Sequence, residues 1–228
     1  MMKTIITMKN NQAYLNTINP KETEPSFVSL RRYAQTYNVP IITYEGILFL
    51  KQLIRLKHVK RILEIGTAIG YSATHMASVD ESIHVTTIER DMTMIKKAQE
   101  TFLNSPYKDQ ITLIEGDALE VSINPDLPYD LIFIDAAKAQ SQRFFERFEP
   151  YLAQQGIIVT DNLLFHGYLV KAHPSKRLLQ LTKKIDAFNH YLMKRKDYDT
   201  VIYPIGDGMS VSIKCEVNHE ASRNTKSH

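Results

Sequence analysis

Asp135, Asp161 and Asn162 are the side chains whose types and placement could do chemistry, because each closes a short apolar run that reads as a buried strand. Asp135 follows Leu131-Ile-Phe-Ile134, and Asp161-Asn162 follows Ile157-Ile-Val-Thr160. If the two strands are neighbours in one sheet, two carboxylates and an amide oxygen meet in a hard, all-oxygen cluster. Such a set suits Mg²⁺, Mn²⁺ or Ca²⁺ and does not suit zinc, which favours His and Cys. A cation there would offset the repulsion between the acids and leave positions for substrate oxygens, as in a metal that binds a hydroxyl and makes it more acidic. Lys138, in Asp135-Ala-Ala-Lys138, lies close enough to serve as general base for that hydroxyl. On its own, Asp161-Asn162 reads as a turn and Lys138 as a surface lysine; the company of Asp135 favours the cluster.

A second group of residues says what else binds. Arg61-Ile-Leu-Glu-Ile-Gly-Thr-Ala-Ile-Gly-Tyr-Ser-Ala73 reads as strand, glycine turn and helix start, the geometry of a nucleoside site. A pyrophosphate fingerprint needs G-x-G-x-x-G, and counting from Gly66 puts Ala68 and Tyr71 at the second and third glycine positions. That disfavours an NAD-dependent dehydrogenase. Glu64 inside the apolar run is costly to bury alone, so it implies a cationic or hydrogen-bond-donating ligand nearby, such as S-adenosylmethionine. Glu89 ends the next strand, where a nucleotide fold places the acid for the ribose hydroxyls. Asp117 and Ala118 stand where an adenine could meet a carboxylate and a backbone N–H, although Asp117 reads equally as a turn residue. His166, in the loop after Asp161-Asn162, could touch substrate.

These residues need a sheet to align them. From Arg61 the pattern predicts strands at 61–66, 84–89, 111–116, 130–135 and 156–161, with helices from about Ser72 and at 91–104, 140–153 and 175–194. The alternation means an α/β fold with a Rossmann-like, doubly wound, mostly parallel sheet and helices on both faces. The runs 200–205 and 209–214 flank Gly206-Asp207-Gly208 and read as an antiparallel hairpin closing the sheet edge. Before the sheet, residues to about Asn11 read as frayed, Tyr14, Leu15 and Ile18 mark a short helix, and further helices start at Pro25 and after a Thr43 cap. Residues 1–57 thus form a helical cap over the ligand, and the polar stretch 217–228 is expected to be disordered.

The 228 residues suffice for one domain, 1–228, with a sizeable core. A net charge of +3 and a pI near 8.8 permit a polyanionic partner without demanding one. The single Cys215 excludes an internal disulfide framework and a Cys-rich zinc site. Without an apolar run of membrane-spanning length or a signal-peptide core, the chain is expected to be cytoplasmic and to have no membrane partner. A homodimer is expected.

The segments Glu64-Ile-Gly-Thr-Ala-Ile-Gly-Tyr-Ser-Ala73, Phe133-Ile-Asp-Ala-Ala-Lys138, Val159-Thr-Asp-Asn162 and Pro204-Ile-Gly-Asp-Gly208 together resemble the cation-dependent O-methyltransferases of the catechol and caffeoyl-coenzyme A type, over about residues 25–215. Within them the chain most resembles the bacterial tRNA 5-hydroxyuridine methyltransferases. The resemblance implies a seven-stranded sheet, S-adenosylmethionine as cofactor and Mg²⁺ or Mn²⁺ held by Asp135, Asp161 and Asn162. It places the cofactor against Ile42, Glu64, Gly66, Thr67, Tyr71, Ser72, Glu89, Asp117, Ala118 and Asp135, and makes Lys138 and Asp135 catalytic. The expected acceptor is 5-hydroxyuridine at the wobble position, in the anticodon region of tRNA, with a small-molecule catechol-type or caffeoyl-coenzyme A-type acceptor as the alternative. The tRNA contacts expected are Arg31, Arg32, His166 and Lys171, with Lys176, Arg177, Lys194, Arg195 and Lys196 as further phosphate contacts.

Overall fold

The computed structural model describes residues 13–170 and 175–216. Lys171 and the tail 217–228 therefore lie outside the described residues, as does the segment read as frayed. Seven strands, β1 (Arg61–Ile65), β2 (His84–Glu89), β3 (Ile111–Glu115), β4 (Tyr129–Ile134), β5 (Leu152–Thr160), β6 (Tyr198–Tyr203) and β7 (Met209–Lys214), form one sheet in the order β3-β2-β1-β4-β5-β7-β6. The first five are parallel; β7 runs antiparallel to both β5 and β6. The expected hairpin is present, but only β6 is an edge strand, and β7 lies inside the sheet.

Strand side chains alternate between two buried faces, which is why the sequence shows continuous apolar runs. Ile62, Leu131, Phe133, Ile157 and Val159 pack towards α1 (Pro25–Tyr37), α2 (Tyr44–Leu56), α3 (Tyr71–Ala77) and α4 (Met92–Leu103). Leu63, Ile65, Ile132, Ile134 and Ile158 pack against α5 (Ser141–Phe148) and α6 (Lys176–Lys194) through Phe144, Phe145, Phe188 and Leu192. Fully buried side chains such as Phe133 and Phe145 each stabilise the fold by roughly 1.5–3 kcal/mol.

Local chemistry sets the helix ends. Pro25 occupies the first turn of α1, Asn38 ends it in a left-handed conformation, and the Thr43 side chain accepts the Gly46 N–H to start α2. Asp91 caps α4 by accepting the Thr93 and Met94 N–H groups. Some boundaries differ from expectation; β5, expected over 156–161, begins already at Leu152. The helix expected over 140–153 is α5 flanked by 3₁₀ turns at Lys138–Gln140 and Glu149–Tyr151, because Pro150 can neither donate an N–H nor fit against the preceding turn. β6 spans 198–203 rather than 200–205, stopping before Pro204.

Candidate active site

The carboxyl ends of β1, β2, β4 and β5 open into a cavity of about 610 Å³, lined also by Val39, Pro40, Ile41 and Thr43 from the linker between α1 and α2. Parallel pairing of β4 with both β1 and β5 brings Gly66, Asp135 and Asp161-Asn162 side by side. Gly66 has φ +99°, and a Cβ there would lie 2.2 Å from the Asp135 carbonyl oxygen. The turn needs glycine twice over, for its conformation and for the closeness of the two backbones. Ala68 also adopts a positive φ, +46°, which an alanine tolerates only with support. Glu89 supplies it: its Oε2 accepts the Ala68 N–H at 2.9 Å while Oε1 accepts the Arg90 and Asp91 N–H groups.

Glu89, Asp117 and Ala118 all line the cavity. Asp117 also performs its turn role, accepting the Leu119 N–H, and pairs with Arg90 at 2.9 Å; the Leu119 bond and then Arg90 hold its carboxyl below the usual range. Glu64 is different. It lies one residue from Ile65 and so on the opposite face of the sheet, under α3, fully enclosed and away from the cavity wall. Burial pushes its carboxyl up to about 8, so it is neutral at pH 7, with hydrogen bonds from Ser72 and Thr87. Its Oε1 has no protein partner.

Asp135, Lys138, Asp161 and Asn162 line the same cavity. The Asn162 amide donates to Asp135 Oδ1 at 2.8 Å, and the Asn162 backbone N–H bonds Asp161 Oδ1 at 2.6 Å. Burial raises both carboxyls above the ordinary range; the Asp135 charge raises Asp161 further. Among the described residues, no group of three His, Cys, Asp or Glu side chains gathers to hold a metal. Lys138 Nζ donates to Asp207 Oδ2 at 3.1 Å and stands 5.2 Å from the Phe165 ring centre. Asp207 was missed in the sequence because Gly-Asp-Gly has the composition of any tight turn. Arg90, Met94 and Phe144, also on the wall, carried no signal either.

Several expected residues stand elsewhere. Ile42, Thr67, Tyr71 and Ser72 do not line the cavity; Ile42 is packed in the core and the Thr67 hydroxyl bonds that of Thr87. The Tyr71 hydroxyl donates to Glu22 Oε1 at 2.6 Å. Glu22, its side chain 2% exposed, also meets His75 Nε2 at 2.8 Å and Arg31 at 2.7 Å, clasping the cap to α3. Burial, then Lys51 and Arg31, push His75 down to about 3, so it is a neutral donor to Glu22. Arg31 is thereby committed to Glu22, while Arg32 is exposed. Arg195, expected at phosphate, is held by Glu149 and Asp197. His166 lies in the 3₁₀ segment Phe165–Val170, its side chain outside the described set.

The family model described as O-methyltransferase matches residues 22–215, and the chain belongs to that family. A solved structure described as a candidate caffeoyl-CoA O-methyltransferase from Staphylococcus aureus is 42% identical, with a TM-score of 0.81, covering 92% of this chain and 100% of that one. The caffeoyl-CoA O-methyltransferase of Populus kitakamiensis is 27% identical across 79% of this chain and 80% of its own length. The catechol O-methyltransferase of Niastella koreensis is 29% identical across 72% and 78%. Among the described residues, no helix is long and apolar enough to cross a membrane.

Proposed function

We propose that this chain transfers the methyl group of S-adenosylmethionine to a hydroxyl with a second oxygen beside it, as in a catechol. The observation that carries the reading is a single cavity lined by Gly66, Glu89 and Asp117 together with Asp135, Lys138, Asp161 and Asn162. Its volume falls within the range of small-molecule and cofactor sites. Ile65, Ile88, Met94, Ala118 and Phe144 offer apolar surface to an adenine, and Glu89 retains acceptor capacity for a ribose hydroxyl. The carboxyl groups of Glu89 and Asp135 on the cavity lining suit a ligand bearing an ammonium and a sulfonium.

Asp135 and Asp161, with the amide of Asn162 turned to present its oxygen, would hold Mg²⁺ or Mn²⁺, and the raised carboxyls are what a cation would relieve. When bound, the cation supplies Lewis acidity that makes the acceptor hydroxyl easier to ionise. In its unprotonated form the Lys138 amine takes the hydroxyl proton; the oxygen bonds to the methyl carbon as the carbon–sulfur bond breaks, leaving S-adenosylhomocysteine. The linker residues Val39, Pro40, Ile41 and Thr43 border this chemistry.

A second reading, with 5-hydroxyuridine of tRNA as acceptor and 5-methoxyuridine as product, uses the same chelating pair, a hydroxyl beside the C4 carbonyl. It is favoured by the solvent face of α6, where Lys176, Arg177, Lys183, Lys184 and Lys194 are exposed and Asp186 is the helix's only acid. Tritiated S-adenosylmethionine with Mg²⁺, offered catechol, tRNA containing 5-hydroxyuridine and tRNA lacking it, decides between the two. Absence of transfer to every acceptor, together with no cofactor binding by calorimetry, would end both readings.

A further inference from the structure

We propose that Asp207 is a positioning residue for Lys138, holding the amine where it meets an acceptor and away from the Asp135–Asp161 pair. Lys138 cannot hold itself. It opens a 3₁₀ turn of Lys138–Gln140 with no side-chain cap, on a flexible stem with three donors. Its charge acts on both Asp135 and Asp161, so three carboxylates compete for one ammonium. The formed hydrogen bond goes to Asp207, at 3.1 Å, with the two side chains 25% and 13% exposed on the cavity wall.

The Asp207 end of this pair is rigid. β6 and β7 pair up to Tyr203 and Met209, and the turn between them is fastened to the loop that follows Asp161-Asn162. Leu164 N–H donates to the Asp207 carbonyl at 2.7 Å and Leu163 N–H to the Gly208 carbonyl at 2.9 Å. Gly208 has φ +91°, and a Cβ there would lie 2.4 Å from Leu164 Cγ, so only glycine lets the turn seat this closely. The last hairpin thereby fixes the Lys138 amine relative to Asp161. The arrangement parallels an acid that orients a catalytic base from behind. If Asp207 is removed, the Lys138 amine loses its fixed partner and moves freely in the open cavity.

The kinetic half of the test rests on the proposed methyl transfer; the labelling half does not. Acylation of the intact protein with an N-hydroxysuccinimide ester, read by peptide mass mapping, should modify Lys138 several-fold faster in Asp207→Asn than in wild type. Asp207→Glu should restore most of the protection, and exposed Lys176 should react alike in all three. With tritiated S-adenosylmethionine, Mg²⁺ and catechol, Asp207→Asn should lower kcat roughly 10–100-fold, less than the roughly 10²–10⁴-fold of losing the base itself, while KM for the cofactor stays near wild type. On a Lys138→Ala background the same substitution should cost less than about twofold, because both changes act through one group. Equal labelling of Lys138 in wild type and Asp207→Asn, or an undiminished loss on the Lys138→Ala background, overturns the proposal. If wild type transfers nothing, the methyl-transfer reading falls and the labelling ratio alone decides the pairing.

Discussion

Glu22 and the Asp135–Asp161 pair are both acids enclosed by protein, and their surroundings are opposite. Around Glu22 stand donors: Tyr71, His75 and Arg31, all within 2.8 Å. Around Asp161 stand more acids, Asp135 and Asp207, with Lys138 shared among them and tied to Asp207. A buried acid surrounded by donors and a cation fixes one structure, whereas buried acids that repel one another persist where an external ligand resolves the repulsion. The first cluster therefore belongs to the stability of the cap and the second to chemistry, and substitutions should separate along that line.

The largest separation is expected at Lys138. Lys138→Ala should slow methyl transfer by about 10²–10⁴-fold, the range for a lost general base, while the urea midpoint barely moves. A comparable fall in stability would merge the two clusters into one structural unit. Next comes Glu22→Ala, which strands Arg31, Tyr71 and His75; it should cost about 2–4 kcal/mol in urea unfolding, below the fully buried case because Arg31 is a third exposed. A loss under about 0.5 kcal/mol, the size of an ordinary surface change, would show that the clasp contributes little.

A smaller effect follows from His75. Its folded pKa, about 3, lies below the ordinary 6.5, so between those values the unfolded chain binds the extra proton. Stability should therefore fall as pH drops below about 6.5, with a slope of up to about 1.4 kcal/mol per pH unit from this group. His75→Gln should flatten that limb of the curve; an unchanged slope would assign the acid sensitivity to other groups. Smallest is Asp161→Asn, which removes one of the repelling acids: stability at pH 7 should rise by about 0.5–2 kcal/mol even as methyl transfer is lost. Destabilisation instead would mean that Asp161 holds the loop together.

What the sequence made legible was local or periodic. The apolar runs ending in Asp135 and Asp161, the Thr43 cap and the glycine turn at Gly66 each depend on neighbours in sequence, and the structure has them. Glu64 shows where such reasoning stops. Its place in the run gave the cost of burial, but the side-chain alternation that turns it under α3, away from the cavity, matters only once the helix covers that face. Asp207 and Glu22 were illegible for a different reason. Asp207 meets Lys138 across the sheet, and Glu22, in a loop flanked by Pro20 and Pro25, meets α3. No periodicity encodes a contact between segments so far apart.

The missing methyl group at Gly66 also acts as a ruler. With no Cβ to keep them apart, the turn after β1 and the backbone of Asp135 lie in contact, and each carries one side of the proposed exchange. Methyl transfer tolerates little misplacement of its partners, a shift of about 1 Å being enough for losses near 10²-fold. Gly66→Ala would alter no functional group, yet it would both lengthen that spacing and strain a backbone held at φ +99°.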